Sequence, residues 1–211
     1  MEPYLAASGI QFTRNTPDMT AASSIAASNA GNYDLHLALH SNAVGSGQQS
    51  TVRGIDAYYY PASVNGKRFA DIAANNLQLI YPLPGMVKTV PTTRLGEVAR
   101  VRAPGVLIEL GYHDNPLDAD WIRNNINNIA ENLVLSLTEY FGIPFNMPQP
   151  IQVGYVSTEG SNLNIRSRPD IGAPIIGKIP NGSEILIYNR LPEWDLAGGV
   201  MGYVSSRYVA V

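Results

Sequence analysis

The chain has 211 residues, 45% of them hydrophobic and 15% charged, with a formal net charge of −3 and no cysteine. That length holds one large or two small domains with a real core, and the composition is that of an ordinary globular protein with a sparsely charged surface, while the weakly acidic balance leaves no electrostatic footprint for nucleic acid. The lack of cysteine excludes disulfides and thiolate metal sites and suits an exported or a cytosolic protein alike; no apolar run reaches the length of a membrane span, and no signal peptide is recognisable.

Residues 2–8 read as the last two turns of a helix stopped by Gly9, so the chain is expected to begin in mid-element. Residues 10–14 alternate and predict a short strand, with a turn over 15–18. Met19, Ala22, Ile25 and Ala26 recur at helical spacing and predict a helix to Asn29. Residues 34–42 are apolar and end abruptly in the polar tip His40-Ser41-Asn42, before a run rich in Gly, Ser and Gln. A buried strand of a parallel sheet reads this way, and open α/β sheets place their chemistry just beyond the carboxyl ends of strands. Residues 54–60 predict a second strand. Residues 65–81 predict a helix with Phe69, Ile72, Ala73, Leu77 and Ile80 on one face, ended by Pro82 and Pro84. A polar segment over 89–103 leads to Val106-Leu107-Ile108-Glu109, an apolar run that arrives at a carboxylate and turns through Gly111 into a polar loop. Asn115 and Pro116 read as the cap and first residue of a helix running to Phe141, with Trp121, Ile122, Ile126, Ile129, Leu133, Leu137 and Tyr140 as its buried stripe.

Residues 146–152 have the composition of a semi-stiff linker. Beyond it short runs at 154–156, 163–166, 175–179, 184–188, 193–196 and 202–205 are separated by turn residues, which argues for a small all-β barrel.

Two neighbouring strands ending in His40 and Glu109 make a candidate site for metal-assisted hydrolysis. Glu109 follows three apolar residues, where a carboxylate must be paired, protonated or functional. His36 lies on the same strand face about 13 Å behind His40 and reads as structural. His113 is either a solvent-facing loop residue or a member of the site. Asn42 and Asn115 suit hydrogen bonds to a substrate peptide and suit loop caps equally. Trp194 and Tyr203 either line a peptide groove or close the barrel core.

These residues also carry a family likeness. The segment 34–42 resembles the "D-hydrophobic-S-I-H-A-N" motif of zinc-dependent N-acetylmuramoyl-L-alanine amidases of the Amidase_3 type, and 106–116 resembles their "V-L-V-E-hydrophobic-G-F-x-S-N-P". The resemblance spans about 4–145, and it implies an α/β fold: a mostly parallel sheet flanked by helices, here with the family's first strand and helix missing. It implies that His40 is a zinc ligand and that Glu109 is the catalytic carboxylate. The family's other two zinc ligands, a His and a Glu, belong to that missing opening. A substitute zinc site from His40, His113 and either Glu109 or Asp114 is one expectation. Residues 163–169, Gly177, Asn181-Gly182, Trp194 and 202–204 resemble the "L-N-V-R-S-x-P … G … G … W … G-W-V" pattern of a bacterial SH3 (SH3b) domain, a small all-β SH3-like barrel. The expected division is an amidase-like domain over 1–145, a linker over 146–152 and an SH3b domain over 153–211. The family implies an extracellular or cell-wall enzyme that hydrolyses peptidoglycan, with zinc as cofactor and stem peptides as partners. Two other readings stand beside it: an inactive wall-binding protein of the same fold, and a chain that starts at an internal Met1. The sheet edge where the missing strand would lie is expected to favour association.

Overall fold

The computed structural model describes residues 1–45, 47, 49–198 and 202–211, and it divides into two compact units, 14–140 and 1–13 with 141–211. The first unit is built on a four-stranded sheet of β1 (His36–Asn42), β2 (Ile55–Tyr59), β3 (Val87–Pro91) and β4 (Gly105–Tyr112), in the order β1-β4-β2-β3. Two of its three pairings, β1 with β4 and β2 with β3, are parallel; β2 and β4 run antiparallel. The sheet is therefore mostly parallel, and its single reversal lies at its centre.

Alternation along the strands gives the sheet two faces. Ile55, Ala57, Val106 and Ile108, all fully buried, lie on the face opposite Tyr58 and Leu107. Helix α3 (Val64–Gln78) packs on β2, β3 and β4 through Phe69, Ala70, Ala73 and Leu77, its start capped by the Ser63 hydroxyl, which accepts from the Gly66 N–H at 3.0 Å. On the other face Ala38, Leu107 and Tyr58 cluster with Leu95 and Val98 around a one-turn helix, α4 (Gly96–Ala99). Helix α4 sits hard on the start of β4: a Cβ on Gly105 would lie 2.8 Å from the Glu97 carbonyl oxygen and 3.0 Å from that of Val98. Helix α2 (Ala21–Ala30) has no buried residue; it is pinned near α4 by Asn29, which donates to the Arg100 carbonyl at 2.8 Å and accepts from the Arg102 N–H at 2.7 Å.

Three expectations change. Residues 10–14 form no strand, because neither sheet offers them a ladder and a lone alternating segment has nothing to pair with. The polar segment 89–103 holds the end of β3 and the whole of α4. The long helix is two, α5 (Pro116–Asn124) and α6 (Ile126–Phe141). Asn125 breaks it: its side-chain amide donates to the Trp121 carbonyl at 2.8 Å, the local competition that makes Asn a poor helix-interior residue.

The second unit is an all-antiparallel sheet of seven strands, β5 (Gln152–Val156), β6 (Leu163–Arg166), β7 (Ile175–Ile179), β8 (Glu184–Arg190), β9 (Trp194–Ala197), β10 (Gly202–Ser205) and β11 (Val209–Ala210), in the order β11-β5-β8-β9-β10-β6-β7. Val156, Leu163, Ile165, Ile185, Ile187, Ala197 and Val204 form its core. The N-terminal helix α1 (Glu2–Ala7) joins this unit: the Ser8 hydroxyl accepts from the Asn146 N–H at 3.0 Å, and the Ser8 carbonyl accepts from the Tyr203 hydroxyl at 3.2 Å. Among the described residues no helix is long and apolar enough to cross a membrane.

One buried ion pair ties the first unit's loops together. Asp118, fully buried on α5, accepts from Arg53 Nε at 2.7 Å, the Tyr81 hydroxyl at 2.7 Å, and the N–H groups of Gly54 and Tyr112 at 3.2 and 3.1 Å. Burial pushes its carboxyl up, but these donors more than offset burial and hold it below 3.8. A depressed carboxyl contributes stability that is present above its unfolded pKa and lost as pH falls through the folded value. Asp118→Asn should therefore cost about 3 kcal/mol at neutral pH and flatten the acid limb of the pH–stability curve below about pH 4. Denaturant titrations across pH check this, and an unchanged acid limb would contradict it.

Candidate active site

The register around β4 gathers the site. Its parallel pairing sets His40 beside Glu109, and its antiparallel pairing sets Asp56 beside Glu109 from the other side. Register partners on adjacent strands share a face, so three strands contribute one polar side chain each at the same level. Strands β1 and β4 end there, whereas β2 begins there. Tyr58, two residues along β2 on the same face, donates its hydroxyl to Asp56 at 3.2 Å.

Glu109 is half-buried, and its Oε2 is buried with no hydrogen-bond partner among the described residues. Burial pushes its carboxyl up; His40 and His113 oppose this and Asp56 adds to it, leaving the group above its usual range. The same environment pushes the Tyr58 hydroxyl up to about 12, through burial first and Asp56 second.

Above this level stands Glu97, carried on α4 and only 9% exposed. Its Oε2 accepts from His40 Nε2 at 3.0 Å, and its Oε1 lies 3.8 Å from His36 Nε2, which has no hydrogen-bond partner among the described residues. Burial holds the His36 imidazole below its ordinary value despite the neighbouring carboxylate.

His113 reaches the same strand ends from the loop after β4. Its N–H donates to the Asn42 carbonyl at 2.8 Å, and its Nδ1 lies 3.1 Å from the Ser41 carbonyl oxygen and 3.0 Å from the Ser41 hydroxyl. Asp114 accepts from the Val44 N–H at 2.8 Å with Oδ2, while its Oδ1 is buried and unpartnered among the described residues. The Gly- and Ser-rich run between includes Ser46 and Gln48, which lie outside the described residues. Gly111 takes φ +106 at this turn, and a Cβ there would stand 3.2 Å from the Asp118 carboxylate. Only glycine suits both conditions.

Of the other sequence candidates, Asn115 and Tyr203 occupy structural positions. Asn42 accepts from the Ala43 N–H at 2.8 Å. Asn115 is buried and caps α5, accepting from Leu117 and Asp118 N–H groups at 3.0 and 3.3 Å and donating to the Ser50 carbonyl at 2.7 Å, so its amide faces no solvent-borne ligand. Tyr203 is 2% exposed; it alternates with the core residue Val204 and turns to the segment after α1, donating its hydroxyl to the Ser8 carbonyl at 3.2 Å, and burial pushes that hydroxyl up to about 12. Trp194 is half-buried at the start of β9.

Two site residues escaped sequence reasoning. Asp56 carried a usable signal, since strand alternation puts it with Tyr58 on the face away from Ile55, Ala57 and Tyr59. Glu97 stood in a segment with no periodicity, and only the contact between α4 and β1 brings it to His40.

A catalytic zinc takes three protein donors and an open position. Among the described residues no three His, Asp or Glu side chains come together to hold a metal ion. His40 and Glu97 are a pair, bonded to each other through Nε2. The described residues alone do not fit a catalytic zinc.

The family model for N-acetylmuramoyl-L-alanine amidase (Amidase_3) matches residues 2–139, and that for a bacterial SH3 domain matches 161–210. The chain belongs to the N-acetylmuramoyl-L-alanine amidase family and carries a bacterial SH3 domain behind the amidase fold. Solved structures agree on the fold. The catalytic domain of CwlV, an amidase from Bacillus (Paenibacillus) polymyxa var. colistinus, superposes with a TM-score of 0.54 at 18% identity, over 68% of this chain and 83% of that one. Cwp6 from Clostridium difficile gives 0.55 at 19%, over 65% and 24%. The N-acetylmuramoyl-L-alanine amidase from Clostridium difficile 630 gives 0.51 at 18%, over 59% and 66%. The chain spans 62%, 66% and 61% of the length of three solved chains it matches. No curated protein matches it.

A carboxyl held above its unfolded value favours folding at low pH and loses that contribution as pH rises through the folded pKa. Glu109 is therefore a destabilising residue at neutral pH, as groups kept for chemistry often are. Glu109→Gln should raise the thermal unfolding midpoint at pH 7 and leave it nearly unchanged at pH 4. A lowered midpoint at pH 7 would make Glu109 a structural anchor.

Proposed function

We propose that the chain acts on peptidoglycan, hydrolysing the amide between the lactyl group of muramic acid and L-alanine, at the cell wall or outside the cell. Glu109 supports this reading most directly. It is a half-buried carboxyl in the second half of β4, with one oxygen unpartnered among the described residues and a pKa held above the usual range. A group so placed takes a proton from the attacking water and returns one to the departing amine nitrogen. His40 and Asp56 flank it and set its proton affinity in opposite directions, and His113 adds to the effect of His40. The SH3 unit would hold the chain on wall stem peptides and raise the local substrate concentration without touching the reacting bond. Amide hydrolysis in this family calls on zinc, and the donors among the described residues are a pair where three are needed.

That shortage of donors favours a second reading, a wall-binding protein that keeps the amidase fold without turnover. Two measurements separate the readings. In the first, the chain is incubated with a muramyl-L-alanyl peptide and zinc, and release of the L-alanyl amine is followed. Turnover that falls about 10²- to 10⁴-fold in Glu109→Gln supports hydrolysis with Glu109 as the proton carrier. Pull-down by insoluble peptidoglycan with no amine release supports the binding protein, and neither result would sink both. In the second, elemental analysis of the dialysed chain, well under one zinc per chain supports the binding protein. A full equivalent, lost in His40→Ala, would show that the donor set is larger than the His40–Glu97 pair.

A further inference from the structure

Glu97 has no role in the reaction as written, yet it is among the most buried charged side chains in the first unit, at 9% exposed. Burying a carboxylate is costly unless it is hydrogen-bonded, and its hydrogen bond here is to His40. The contact is built, not incidental. Leu95 and Val98 on either side of Glu97 are packed with Ala38 of β1 and Leu107 of β4. Gly105 lets the α4 backbone approach to within 3.0 Å of the place a Cβ would fill. Asn29 clamps the chain just past α4 through Arg100 and Arg102. The carboxylate is thus held over β1 by packing on both sides, with its second oxygen turned to His36 at 3.8 Å, beyond hydrogen-bond range.

We propose that Glu97 is a positioning residue that fixes His40 as its Nε2–H tautomer, leaving Nδ1 as the lone-pair nitrogen that the site presents beside Glu109. The argument is one of donors and acceptors. A carboxylate only accepts, so the nitrogen 3.0 Å from Glu97 Oε2 must carry the hydrogen, and a neutral imidazole then has its lone pair on the other nitrogen. His113 differs: its Nδ1 lies 3.1 Å from the Ser41 carbonyl oxygen, which only accepts, and 3.0 Å from the Ser41 hydroxyl, which can donate or accept, so no carboxylate fixes its ring. A carboxylate partner orients a functional ring without touching the reacting atoms. The inference rests on the reading of His40 as a site residue, but its test does not depend on turnover.

The test is ring nitrogen NMR on the full chain labelled with 15N-histidine, at pH 8, where an ordinary imidazole is neutral. His40 should show a pyrrole-type Nε2 and a pyridine-type Nδ1, with no detectable Nδ1–H form. In Glu97→Gln, whose amide can accept or donate, the ratio of Nε2–H to Nδ1–H should fall by at least about tenfold, the effect of losing one hydrogen bond to a charged group. A wild-type His40 that is doubly protonated, tautomer-mixed or Nδ1–H overturns the proposal without any variant. A wild-type Nε2–H form that persists unchanged in Glu97→Gln overturns it as well. If Glu97→Gln fails to fold, Gly105→Ala, which pushes α4 off β4, should produce the same shift in ratio, and an unchanged ratio there would also overturn it. Loss of amidase turnover in the wild-type chain alongside a fixed tautomer would count against the proposed function and leave the role of Glu97 standing.

Discussion

The pairing of β4 with strands of opposite direction is the constraint on which the first unit depends. A wholly parallel sheet would present only strand ends at this edge of the fold. By running β2 against β4, the chain brings the beginning of one strand to the ends of two others, and Asp56 arrives beside Glu109 while His40 arrives on its other side. The buried Asp118 fixes the same arrangement from outside the sheet, holding Arg53 and Gly54 ahead of β2 and Tyr112 at the end of β4 on a single carboxylate.

That geometry sets the electrostatics. A carboxyl with an acid on one side and an imidazole on the other has its proton affinity tuned by neighbours of opposite effect, and burial tips the balance upward. Asp118, equally acidic and more deeply buried, goes the other way because four donors converge on it. Two carboxylates of one domain are thus shifted in opposite directions, according to how many donors each is given.

Much of this was legible in the sequence, for identifiable reasons. The apolar run ending at Glu109 was readable as a strand because a strand buried on both faces leaves a continuous hydrophobic stretch; the run ending at His40 reads the same way, yet β1 is the sheet's edge strand, with Leu39 exposed. The barrel was readable because turn residues punctuate it at short intervals. What was hidden depended on contacts distant along the chain. Glu97 looks like any acid in a polar segment until α4 is laid over β1, fifty-seven residues away. Residues 10–14 have the alternation of a strand, but a strand needs a neighbour, which alternation cannot supply. Asn125 ended a helix that hydrophobic periodicity carried straight through, since periodicity reports which face is buried and is blind to a side chain that captures a backbone carbonyl. Asn115 and Tyr203 were open between two roles, and burial assigns both to structure.

The central claim is that Glu109 is a proton carrier tuned by its strand neighbours. The most direct measurement is the titration of the Glu109 side-chain carboxyl, followed by 13C NMR in the wild type and in Asp56→Asn. The account predicts a midpoint above 4.5 in the wild type, moving down when the charge at Asp56 is removed. A midpoint at or below the ordinary glutamate value, indifferent to Asp56, would contradict it.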